Sequence, residues 1–192
     1  MERKNVSKWL LELPNKLTIG RIAAIPLLLA LYPWNIGFLN VFCAALFAVA
    51  AITDFFDGYL ARKYNNTTRM GSILDPIADK LLITAAIILL TNSQIIPAWM
   101  AGLFLCREVA VSGARIAAAE RGFSIEVSQL GKWKTAFQDV AIFVLMLNMP
   151  EYRLWGITLA WIALGLSYFS AYRYWQGFWE LANNSDENND ID

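Results

Sequence analysis

Histidine is absent from all 192 residues. That excludes histidine metal ligands, a Ser-His-Asp triad and a phosphohistidine intermediate of the phospholipase-D kind. Cysteine occurs only twice, at Cys43 and Cys106, each inside an apolar run. The two are read as buried thiols in a reducing compartment. Charge is scarce as well: 17% of residues are charged against 57% hydrophobic, and the formal net charge is +0. A neutral total gives no global field for nucleic acid. No internal repeat and no linker marks a second domain. No A-x-A cleavage site follows the N-terminal segment, and the apolar run after it is too long for a secretory signal. What remains is the composition of one polytopic, all-α membrane domain.

No Asp, Glu, Lys or Arg occurs from Ile22 to Thr53, which is long enough for more than one crossing at about 20 residues each. Pro33, with Asn35 and Gly37, divides that run. Six transmembrane helices are expected, near 16–33, 38–62, 70–90, 98–120, 131–149 and 153–178. The second exceeds about 20 residues, so it tilts or extends beyond the hydrocarbon. Pro76 lies inside the third, lacking an N–H and crowding the carbonyl of Ser72, so a bend is expected beside Asp75. Ahead of these, residues 1–13 place Val6, Trp9, Leu10 and Leu13 on one face, a short amphipathic helix lying in the interface. Pro14 and Asn15 are expected to break and recap the chain. Residues 14–180 then form the six-helix domain, and the polar, acidic 181–192 a disordered tail.

Lysine and arginine set the orientation. They crowd the N-terminus, the 62–69 turn and the 115–134 segment, whereas the turns near 34–37 and 91–97 have none and that near 150–153 has only Arg153. The positive-inside rule places both termini and both basic turns in the cytoplasm.

Four carboxylates interrupt the apolar sequence around one of those turns. Asp54, Asp57, Gly58 and Ala61 stand at i, i+3, i+4 and i+7, one helical face. Gly71, Asp75 and Asp79 stand at i, i+4 and i+8, again one face. The polar run Lys63-Tyr-Asn-Asn-Thr-Thr-Arg69 is short, so the two helices are expected to be antiparallel neighbours with their carboxylates converging. An aspartate near a bilayer centre costs roughly 2.5–3.5 kcal/mol on insertion scales, and crowded like charges repel further. The aspartates must therefore share protons or hold cations. Two divalent ions balance four carboxylates, and hard oxygens without His or Cys favour Mg2+ or Mn2+. Two such ions about 3.5–4 Å apart form a clamp for phosphoryl transfer. A lone membrane aspartate serves equally as a helix–helix hydrogen bond or ion pair, but four at these spacings, with glycines on the same faces, point to a metal cradle. At about 1.5 Å per residue, Asp57 sits on the order of 8 Å below the cytoplasmic end at Arg62. The cradle is shallow and opens to the cytoplasm.

The pattern D-x2-D-G-x2-A-R-x8-G-x3-D-x3-D is met at every fixed position. It resembles the signature of the CDP-alcohol phosphotransferases, integral membrane enzymes that transfer a phosphatidyl or related group from a CDP-linked donor to an alcohol. The resemblance covers nearly the whole chain. It implies that Asp54, Asp57, Asp75 and Asp79 form the two-metal site and that Asp79 doubles as general base. It further implies that Gly58, Arg62, Thr68 and Gly71 contact the CDP moiety, and that the chain is a homodimer.

A second constellation is Arg107-Glu108-x3-Ser112-Gly113-x-Arg115, with Glu108, Ser112 and Arg115 on one face at i, i+4 and i+7. A third is Gly131-Lys132-x-Lys134-Thr135. Arg107 with Glu108 is as readily a buried ion pair bracing the helices as a functional group. Lys132 and Lys134 are either positive-inside anchors or, with Arg115, a basic cradle for a phosphorylated acceptor. Together with Leu13-Pro14-Asn15-Lys16-Leu17-Thr18 and Arg21, these stretches resemble the phosphatidylglycerophosphate-synthase branch of the family. That likeness implies CDP-diacylglycerol and glycerol 3-phosphate as substrates, with Arg107, Arg115, Lys132 and Lys134 toward the acceptor phosphate. Serine, inositol phosphate or a lipid as acceptor is the alternative within the same chemistry. A divalent-cation transporter is the alternative outside it, disfavoured by the single shallow cluster and the lack of a repeat.

Overall fold

The computed structural model describes residues 8–64, 69–120 and 129–189, with side chains over 18–53, 74–120, 131, 133–177 and 179. Every regular element among them is helical: α1 Lys8–Leu31, a 3-10 turn Tyr32–Trp34, α2 Gly37–Tyr64, α3 Arg69–Asn92, α4 Ala98–Glu120, α5 Gln129–Met146 and α6 Pro150–Asn189. The all-α class is as expected, and α2, α3 and α4 end within two residues of the expected limits. Of the described helices, one stretch, Pro150–Gly177, is long and apolar enough to cross a membrane, with mean hydropathy 1.5 over its best window; Thr18–Trp34 and Gly37–Thr53 are shorter apolar stretches. The count of six crossings therefore does not follow from apolar length alone.

Three expectations are corrected. The chain does not break at Pro14, because α1 runs unbroken from Lys8 to Leu31. One proline removes one backbone bond, which a helix can absorb as a kink while its other bonds persist. α3 likewise contains Pro76 within one helix, Arg69–Asn92. The tail expected to be disordered continues α6 as far as Asn189. Beyond Gly177 no glycine or proline interrupts the chain, and extending an existing helix is far easier than nucleating one. Finally, Cys43 is buried but Cys106 is exposed. Its neighbours Leu103 and Val109 are exposed as well, so an apolar run here supplies an outward face as well as an inward one.

The chain divides into two compact units, residues 1–95 with 142–153, and 96–141 with 154–192. In the first, α1 packs on α2 and α3. Thr18, Arg21, Ala24 and Leu28 form its buried stripe, at the three- and four-residue steps of one helical face. Opposing helices contribute Cys43, Ala44, Phe47 and Ala50 from α2, and Ala78, Leu82, Ala85, Ala86 and Leu89 from α3. The many alanines allow close backbone approach.

Three turns of this unit each carry one residue in the left-handed region: Asn35 (φ 50), Gln94 (φ 54) and Asn148 (φ 52). Two of the turns are joined directly, since Asn35 Oδ1 accepts from Asn148 Nδ2 at 2.8 Å and from Asn40 Nδ2 at 3.0 Å. Arg153 Nη2 donates to the Gln94 carbonyl at 3.1 Å.

In the second unit α4 and α6 run parallel, because their contacts advance together along both helices. Trp99 faces Trp161 with ring centroids 5.6 Å apart. Further on, Tyr168 Oη donates to the Leu103 carbonyl at 3.1 Å and Arg107 Nε to the Ser167 carbonyl at 2.9 Å. At the far end the Arg115 guanidinium lies 5.9 Å from the Tyr174 ring centroid.

Candidate active site

The acidic signature falls on two helices, as its spacing predicts. Asp54, Asp57, Gly58 and Arg62 belong to α2, and Gly71, Asp75 and Asp79 to α3. The side chains of Asp54, Asp57 and Arg62, the position of Gly71 beyond its backbone, and Thr68 altogether lie outside the described set. Asp75 and Asp79 are described, and both are half-buried. They stand one turn apart, so one face of α3 carries both carboxylates. Asp75 Oδ1 accepts a hydrogen bond from the Thr18 hydroxyl of α1.

This donor set suits a hard divalent cation. Two partly buried carboxylates on one face supply anionic oxygens, and no soft ligand stands beside them in the sequence. Among the described side chains no three of Asp, Glu, His or Cys come together; Asp54 and Asp57, the other half of the predicted quartet, are not in that set.

The basic constellation is more fully described. Arg107 and Lys134 are both buried, at 8% and 5% exposure. Both converge on one oxygen: Glu108 Oε1 accepts from Arg107 Nη1 at 3.0 Å and from Lys134 Nζ. Arg107 is thus held at both edges, by Glu108 and by the Ser167 carbonyl. Two cations thus gather on one carboxylate. The expected bracing ion pair is therefore present, and it also fixes the two cations in place. Ser112 turns its hydroxyl back onto the Glu108 carbonyl, at 2.6 Å. Arg115 is exposed against the Tyr174 ring. The side chain of Lys132 lies outside the described set.

Two features were not anticipated. Thr18 meets Asp75 across 57 residues of sequence. Gln138, one turn beyond Lys134 on α5, is 1% exposed, and among the described residues neither its Nε2 nor its Oε1 has a hydrogen-bond partner. A polar residue at i+4 from a candidate cation, within an apolar helix, was the available signal for the second. The first had only the polar pair Thr18 and Arg21 on one face of α1.

The family model described as CDP-alcohol phosphatidyltransferase matches residues 11–169. A Bacillus subtilis protein named CDP-diacylglycerol–glycerol-3-phosphate 3-phosphatidyltransferase is 37% identical over 191 residues, covering 91% of this chain and 99% of its own. A Rickettsia bellii protein of the same name is 43% identical over 170 residues, covering 86% and 94%. An Arabidopsis thaliana chloroplastic/mitochondrial form is 36% identical over 189 residues, covering 89% and 64%. The chain belongs to the CDP-alcohol phosphatidyltransferase family. Membership in a transferase family displaces the cation-transporter alternative.

Proposed function

We propose that this protein transfers the phosphatidyl group of CDP-diacylglycerol to glycerol 3-phosphate, releasing CMP and forming phosphatidylglycerophosphate for anionic phospholipid synthesis. The observation that carries the reading is the single face of α3 bearing Asp75 and Asp79, half-buried one turn apart, inside the segment that matches the family. The names of the relatives supply the acceptor, and the cations gathered on Glu108 suit an acceptor that carries a phosphate.

Asp54, Asp57, Asp75 and Asp79 would hold two Mg2+ or Mn2+ ions. When bound, these ions neutralise charge on the donor's pyrophosphate and on the departing CMP. Asp79 accepts the proton of the acceptor hydroxyl, and that oxygen attacks the β-phosphorus of the donor. Gly58, Arg62, Thr68 and Gly71 contact the CDP moiety, with Arg62 steadying the pyrophosphate or the leaving nucleotide. Arg115, Lys132 and Lys134 receive the acceptor phosphate, Arg115 by bidentate hydrogen bonds and the lysines as point charges, with Arg107 adding a fixed positive charge toward it. Transfer is direct, the acceptor oxygen displacing CMP in one step. The six helices span the cytoplasmic membrane with both termini and the site on the cytoplasmic side, and the working unit is a homodimer.

The test supplies purified protein and CDP-diacylglycerol, with Mg2+ or Mn2+, with glycerol 3-phosphate, serine or inositol phosphate in turn. CMP release is expected with glycerol 3-phosphate. Release with serine or inositol phosphate instead would reassign the acceptor, and release with none of them would overturn the reading.

A further inference from the structure

A threonine inside a helix ordinarily turns its hydroxyl back onto its own backbone. Four do so here: Thr53 to the Val49 carbonyl at 2.6 Å, Thr91 to Ile87 at 2.8 Å, Thr135 to Gly131 at 3.1 Å and Thr158 to Leu154 at 2.9 Å. Thr18 reaches a carboxylate on a different helix. Its hydroxyl donates from α1 to Asp75 Oδ1 on α3, and the threonine is 1% exposed. A hydrogen bond to a charged acceptor is roughly twice as strong as a neutral one, and burial shields this one from competing water.

We infer that Thr18 is a positioning residue for the metal cradle, holding the Asp75 carboxylate in the orientation in which it binds a divalent cation. The inference rests on the reading of Asp75 as a metal ligand. A carboxylate side chain has two torsions to settle, and the bond from Thr18 fixes one oxygen while the other remains a donor for a cation. Groups that orient metal ligands in this way typically change metal affinity by about 10–100-fold when removed. Thr18 touches neither substrate nor reacting atoms on this account. It acts through Asp75.

The experiment measures Mn2+ binding to the purified full-length protein in detergent, by electron paramagnetic resonance of free Mn2+ or by calorimetry, without substrate. Thr18→Val keeps the shape and removes the donor, Thr18→Ala removes both, and Thr18→Ser keeps the donor. Both Val and Ala variants are expected to weaken Mn2+ binding at least about tenfold, with Thr18→Ser close to wild type. In an Asp75→Asn background, itself weakened, Thr18→Val is expected to have no further effect. A purely structural role would lower the melting temperature of metal-free protein in all backgrounds without this pattern in affinity. Wild-type Mn2+ affinity in Thr18→Val, or a Thr18→Ser loss as large as that of Val, overturns the inference and leaves the metal reading intact. Wild-type protein that binds no Mn2+, or Asp75→Asn that binds it normally, overturns the metal reading and this inference together.

Discussion

Lys134 of α5 and Glu108 of α4, 26 residues apart in sequence, form an ion pair in which both side chains are largely buried, at 7% and 21% exposure. The same carboxylate oxygen holds Arg107. Removing the shared acid takes a partner from two buried cations at once, whereas removing one cation leaves the acid still paired. Loss of a partner from a buried pair costs about 3–5 kcal/mol. Glu108→Ala is therefore expected to destabilise the protein by about that amount, and Lys134→Met by clearly less. Thermal unfolding of the purified variants in detergent checks the order. Equal losses would mean that the Glu108–Lys134 pair carries the whole effect and that Arg107 gains nothing from Glu108.

The proposed general base gives a sharper kinetic expectation. Asp79 is half-buried on α3, one turn from Asp75. Asp79→Asn preserves size and hydrogen-bonding capacity but cannot accept the proton. A folded variant is expected whose CMP release falls by at least about 10²–10⁴-fold, the usual worth of a positioned base. Unchanged turnover would remove Asp79 from that role.

Local chemistry made most of the helix limits readable. The polar residues that follow Tyr64, Asn92 and Glu120 in the sequence interrupt the apolar runs, and α2, α3 and α4 end where those interruptions begin. The acidic faces were readable because helical periodicity alone puts Asp75 and Asp79 on one side. The contacts that hold the site and join the turns were not, since each links residues distant in sequence: 57 positions for Thr18 with Asp75, and 113 for Asn35 with Asn148. Pro14 misled for the opposite reason. It is a strong local signal, and the intact bonds on either side of it outweigh the one it removes.

The turn at Asn35 separates stability from activity. Its φ of 50 lies in the left-handed region, which asparagine tolerates and alanine does not. Asn35→Ala loses both side-chain hydrogen bonds and also strains the backbone. Asn35→Gly loses the same bonds without that strain. The alanine variant is expected to be less stable than the glycine variant by about 1 kcal/mol, with the metal affinity of both unchanged. Melting curves and Mn2+ titrations of the pair check this, and an alanine variant as stable as glycine would mean the backbone relaxes there.

Arg115 distinguishes a phosphate-bearing acceptor from a neutral one. Its guanidinium is exposed, lying 5.9 Å from the Tyr174 ring centroid, a contact worth only about 0.5–1 kcal/mol at an exposed site. Loss of the charge should therefore cost little stability, and its effect should fall on the ligand. A hydrogen bond to a charged group contributes about 1.5–3 kcal/mol, so Arg115→Ala is expected to raise the KM for glycerol 3-phosphate by roughly 10–100-fold. The KM for CDP-diacylglycerol should hardly move, because the donor is assigned to Gly58, Arg62, Thr68 and Gly71. Arg115→Lys keeps a point charge but not the bidentate fork, and should fall between. Tyr174→Leu tests whether the ring merely steadies the guanidinium, in which case the rise in KM should be a few-fold only. Initial-rate measurements with each substrate varied in turn decide the matter. An Arg115→Ala variant that raised both KM values equally would mean that the residue supports the fold rather than the acceptor.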